Sequence, residues 1–115
     1  MSQPEGWTVE IVEPVSEWIS ALDGRNRTRI LRAVELLRAY GVQLGMPYAR
    51  HLRGKLFELR VPVARRDYRV IYLAYAGQRM VLLHGFAKST QKTPEREMQT
   101  AERRLADYLA DQAEG

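Results

Sequence analysis

The run Val70-Ile71-Tyr72-Leu73-Ala74-Tyr75 restricts the fold more than any other stretch of the chain. Successive side chains on a strand point to opposite faces. Here both sets are apolar, so neither face of this strand can meet solvent. The stretch Tyr68–Tyr75 is therefore predicted as a central strand. Flanking strands are predicted at Leu56–Val61 and Met80–Phe86. The turn at Ala76, Gly77 and Gln78 is short enough to join the last two as a hairpin.

Elsewhere the period changes. Trp7, Val9 and Ile11 alternate with polar residues, the pattern of a short strand. Pro14 suits the first turn of a helix, and Val15, Trp18, Ile19 and Leu22 follow at helical spacing until Asp23 and Gly24. Asn26 is the expected cap of a second helix, with Ile30, Ala33, Val34 and Leu37 as its stripe and Gly41 at its end. Gly41, Gly45, Pro47 and Gly54 punctuate what reads as a loop. Thr93 and Pro94 form a helix start, followed by a stripe of Met98, Ala101, Leu105 and Tyr108. The expected order is β-α-α-β-β-β-α, an α+β fold with a small, mostly antiparallel sheet on a helical hairpin plus a C-terminal helix. Residues 1–115 are read as a single domain.

The net charge of +4 and a pI of about 9.7 make a polyanion such as nucleic acid a candidate partner. The same charge can serve solubility alone. The absence of cysteine excludes disulfides, thiolate catalysis and cysteine-based zinc sites. Two histidines, His51 and His84, make a weak case for a metal. With no apolar leader and no membrane-length apolar run, the expectation is a cytoplasmic protein without membrane contact.

No phosphate-binding glycine loop or nucleophile elbow is present. The candidates are charged residues around the sheet. Glu58 and Arg60 share one strand face, opposite Phe57, Leu59 and Val61. The pair reads either as chemistry or as a cross-strand salt bridge on a wet sheet face. Arg69 opens the central strand, behind Arg65, Arg66 and Asp67; such a loop can grip phosphates or simply be a solvated turn. His84, Phe86 and Lys88 share one parity if the last strand continues that far, and Lys92 follows. His84 reads equally as a hydrogen-bonded sheet residue.

Three stretches together carry a family resemblance: Leu56-Phe57-Glu58-Leu59-Arg60, Asp67-Tyr68-Arg69-Val70-Ile71-Tyr72, and Leu82-Leu83-His84-Gly85-Phe86-Ala87-Lys88 continuing to Thr93-Pro94. The chain resembles the phage-derived HigB-like branch of the RelE/ParE toxin superfamily over roughly residues 7–109. The resemblance implies a RelE-like fold. It also implies the toxin of a type II toxin–antitoxin module, an endoribonuclease (mRNA interferase) that cuts mRNA on the ribosome and blocks translation. No metal or other cofactor is implied. The implied partners are mRNA, the ribosome and a cognate antitoxin, HigA-like with a helix-turn-helix, through which alone the pair meets operator DNA.

The resemblance also implies roles. Arg69 matches the family's Tyr-Arg arginine and is assigned to the phosphate, with Arg60 assisting. Glu58 stands where RelE has a lysine and is assigned as proton acceptor. Lys88 is a charge stabiliser with Lys92 as helper, and His84 is a general acid, its ordinary pKa near 6.5 suiting proton transfer. Arg66, Arg53 and Lys55 join the RNA-phosphate contacts. The chain departs from the pattern at Ser89, where the branch often has a second lysine and RelE has an arginine. It also lacks the tyrosine RelE carries early in its last segment; the last helix offers only Tyr108. Two other readings share the architecture: a ParE-like DNA gyrase inhibitor, and a catalytically degenerate module that only binds its antitoxin.

Overall fold

The computed structural model describes residues 6–63, 66–88 and 92–114. Arg65 and Ser89, singled out above, lie outside them. The elements in chain order are β1 (Thr8–Ile11), α1 (Glu13–Ala21), α2 (Gly24–Tyr40), a 3₁₀ turn (Gly41–Gln43), β2 (Ala49–Arg53), β3 (Leu56–Pro62), β4 (Asp67–Tyr75), β5 (Arg79–Lys88) and α3 (Glu95–Glu114). They form one sheet in the order β1-β5-β4-β3-β2. β1 runs parallel to β5, and every other pairing is antiparallel. The RelE-like α+β expectation holds, with β4 at the centre.

Each face of the sheet has its own cover. Leu59, Val61, Val70, Tyr72, Met80 and Leu82 pack under α1 and α2 with Val15, Ile19, Ile30, Val34 and Leu37. On the other face Leu56, Ile71, Leu73, Val81, Leu83 and Phe86 meet Ala101 and Tyr108 of α3. The two-sided hydrophobicity of β4 follows directly: its alternate residues feed two different cores. Trp18 of α1 lies so close to β5 that a Cβ at Gly85 would run into its ring, so the strand needs glycine there.

An irregularity in β5 sets up the second face. Ile71 pairs with His84 but Tyr72 pairs with Leu82, leaving Leu83 as the extra residue of a bulge. Past the bulge, His84, Phe86 and Lys88 lie opposite Ile71, Arg69 and Asp67, on the α3 side. β5 does continue to Lys88, as the shared parity requires.

Three expectations are corrected. The stretch read as a loop contains β2, an edge strand turned onto β3 at Gly54 and Lys55. Its sequence, Ala49-Arg50-His51-Leu52-Arg53, is polar because only Ala49 is fully covered and the arginines take ion-pair partners. The second helix starts at Gly24, and Asp23 caps it by accepting from the Asn26 backbone N–H at 2.9 Å; Asn26 is not the cap. The face carrying Glu58 is not wet, because α3 lies across it and Glu58 is 0% exposed.

Candidate functional site

Four polar or charged residues are buried among the described residues: Glu58, Arg69, Lys88 and Thr93. They come from β3, β4, β5 and the segment leading into α3. Sheet register explains their meeting. Glu58 lies opposite Ile71, and Arg60 opposite Arg69, while Lys88 lies opposite Asp67 at the end of β5. Thr93 then crosses from the α3 side. Its hydroxyl donates to Glu58 Oε2 at 2.5 Å and accepts from Lys88 Nζ at 3.4 Å. The hydroxyl expected to cap α3 is thus drawn into the buried cluster.

Glu58 holds the cluster together. Arg50 Nε donates to its Oε1 at 3.1 Å, and Arg69 Nε lies 3.3 Å from the same oxygen. Both carboxylate oxygens are therefore occupied. Arg69 is only partly served in return. Its Nη1 is 3.0 Å from Asp67 Oδ2, yet neither this approach nor that of Nε has hydrogen-bond alignment. Two buried N–H bearing atoms of a 3% exposed guanidinium thus lack a hydrogen-bond acceptor among the described residues. An unpaired buried donor is costly, and more so on a charged group.

The charge is unbalanced in the same sense. Arg50, Arg60, Arg69 and Lys88 face two carboxylates, Glu58 and Asp67. Burial pushes the Lys88 ammonium below the usual lysine range. Glu58 pulls it back up, and Arg69, Arg50 and Arg60 press it down again. An excess of poorly compensated cation at the end of a sheet is suited to an anion such as a phosphate.

The other expected residues sit elsewhere. His84 is a rung along from Arg69, stacked on Phe86 with ring centroids 5.4 Å apart. Arg104 Nη1 donates to its Nδ1 at 3.1 Å and to the Leu83 carbonyl at 3.0 Å. An accepting Nδ1 puts the ring proton on Nε2, which donates to Glu97 Oε1 at 2.6 Å. Burial lowers the His84 pKa; Glu97 opposes the shift, while Arg104 and Arg103 add to it. The ring is thereby fastened to α3. Arg53 is likewise engaged by Glu95 and Glu102 of α3, at 2.7 and 3.0 Å, which raises its pKa. Lys55 is exposed in the β2–β3 turn, and Arg66 and Lys92 are exposed at the entries to β4 and α3.

Residues 17–106 match the family described as Phage derived protein Gp49-like (DUF891). The chain belongs to that family. It is a RelE-like family associated with toxin–antitoxin modules. The match spans every residue of the buried cluster. No curated protein matches the chain.

Within this Gp49-like chain, the site has two members that sequence reasoning missed, Arg50 and the Thr93 hydroxyl. Arg50 was legible only in part. A tight turn at Gly54 and Lys55 folds the preceding residues back on β3, but in regular register it sets His51 opposite Glu58; the bulge between His51 and Arg53 moves Arg50 there instead. Thr93 carried no such signal, because its local context fits a helix cap equally well.

Proposed function

We propose that this Gp49-like chain is the toxin of a toxin–antitoxin pair, of the HigB-like kind, and that it cuts mRNA with the Arg69 cluster. The single observation that carries this reading is the buried Arg69 guanidinium whose Nε and Nη1 lack hydrogen-bond acceptors beside a desolvated lysine. A scissile phosphate supplies the missing acceptors. In the reaction, the ribose 2′-oxygen attacks the adjacent phosphorus and gives its proton to solvent water, and the bond to the 5′-oxygen breaks to leave a 2′,3′-cyclic phosphate. Arg69 binds the phosphoryl oxygens as their charge grows, with Arg60 beside it. Lys88 stabilises the same charge, and its lowered pKa makes it a better proton donor to the departing 5′-oxygen. In this reading Glu58 aims the cations instead of accepting the proton, since Arg50, Arg69 and Thr93 already engage both its oxygens. His84, held between Arg104 and Glu97, fixes α3 across the site. The remaining partner is an antitoxin, which in such a pair silences the toxin.

The test is primer extension on a reporter mRNA after brief induction of the chain. New 5′ ends inside translated codons are expected. Growth arrest with intact mRNA would point to gyrase instead. Intact mRNA with normal growth would leave only antitoxin binding.

A further inference from the structure

A second set of cations lies outside the cluster. Arg25, Arg29 and Arg32 are exposed on α2 at positions i, i+4 and i+7. Helical rise places them about 6 and 4.5 Å apart along the axis. None of the three has a side-chain hydrogen bond or ion pair among the described residues, in contrast to Arg38, which pairs with Glu35. Three adjoining concavities run along this face and all include Arg29. One continues down to β3, where Arg32, Tyr48 and Arg60 line it. Among the described residues, Asp23 is the one acidic residue on the lining of the three.

The sheet edge connects this channel to the cluster. The β2–β3 pairing ends at Ala49 and Leu59, and the Arg60 backbone N–H then donates to the Tyr48 carbonyl. Beyond that point no strand among the described residues lies on the outer side of β3. Arg60, the cross-strand partner of Arg69, therefore stands at the rim between the two regions. Tyr48 is 49% exposed in the same wall. A row of uncompensated guanidiniums with a half-exposed aromatic ring among them is the arrangement that holds single strands, phosphates on the cations and a base on the ring.

We propose that this α2–β3 channel binds the single-stranded RNA flanking the scissile phosphate, with its backbone on Arg25, Arg29 and Arg32 and a base stacked on Tyr48. The direction of the strand, from Arg69 past Arg60 into the channel, rests on the ribonuclease reading; the binding surface itself does not.

The test uses the full chain and 2′-O-methyl RNA, whose blocked 2′-oxygen cannot attack, so binding is read without cleavage. A trinucleotide is compared with an oligomer of about twelve nucleotides, within the usual site sizes for single strands. The longer probe is expected to bind at least about tenfold tighter. Arg29→Gln with Arg32→Gln keeps good helix formers at exposed positions and should remove most of that gain. It should also flatten the salt dependence by about 1.4 in log–log slope, two phosphate contacts on a single strand. Tyr48→Ala should weaken the longer probe by about tenfold, and Tyr48→Phe should not. A wild-type chain with no length gain overturns the proposal, as does a gain untouched by the double substitution. A double variant that keeps RNA but loses an acidic antitoxin segment overturns it in favour of a protein partner. A chain that shows the gain yet cuts no mRNA keeps the channel and loses the nuclease reading; cutting without the gain does the reverse.

Discussion

Glu58 and Leu59 are neighbours on β3, both 0% exposed, and they face different worlds. Leu59 points into the core under α1 and α2, which holds no buried charged side chain among the described residues. Glu58 points under α3, where apolar packing stops short and a knot of charge takes over. The first face is what holds the sheet. The second is a compromise, because cations kept dry and partly unpaired are poor glue. A chain that needed α3 only for stability would do as well with leucine or methionine at these positions. The first face accounts for stability, and the second is where the proposed ligand site lies.

The sharpest way to break the comparison is to remove each neighbour. Glu58→Ala strips the carboxylate from buried cations and should destabilise by about 3–5 kcal/mol. Leu59→Ala leaves a cavity and should cost about 2–5 kcal/mol. Denaturant melts of the two check both. Only the first should also abolish cleavage in molecules that remain folded. Next comes Arg69→Met, which roughly keeps the volume. Activity should fall by about 10²–10³, the loss of one donor aimed at transition-state charge, or ~3 kcal/mol. Its melt should be no lower than the parent's, since the ion pairs lost to Glu58 and Asp67 are offset by the removal of two buried N–H atoms without hydrogen-bond acceptors and by relief of the neighbouring cations. Thr93→Val leaves a Glu58 oxygen without its hydroxyl donor and should cost about 1–3 kcal/mol by the same melt.

The smallest effect is that of pH on α3. The folded state lowers the His84 pKa, so it takes up a proton less readily than the unfolded chain does. The stability this contributes is fully present above pH 6.5, the ordinary histidine value, and is lost as pH falls through the depressed value. Melts of the parent below pH 6.5 should drop more than those of His84→Gln.

The two faces were unequally legible in the sequence. The apolar face follows from periods of two and 3.6 in Val70–Tyr75, in Val15-Trp18-Ile19 and in Ile30-Val34-Leu37, because burial of apolar surface leaves a regular mark. The charged face leaves none. Glu58 beside Arg60 looks like a solvated pair until α3, far away in sequence, is laid over it. β2 went unseen because an edge strand held by Arg50 and Arg53 lacks hydrophobic alternation. The Leu83 bulge, which turns His84, Phe86 and Lys88 toward α3, also has no local signature. Arg69 and Lys88 are candidates from their strand positions, their roles come from the family resemblance, and the geometry adds why they are uncomfortable where they are.

The most direct test of this account is primer extension with Arg69→Met beside the parent, at matched expression and with matched melting curves. The expected result is codon-internal 5′ ends for the parent and none for the variant, with the variant at least as stable. Undiminished cleavage by a folded Arg69→Met chain would contradict the assignment of the charged face to RNA.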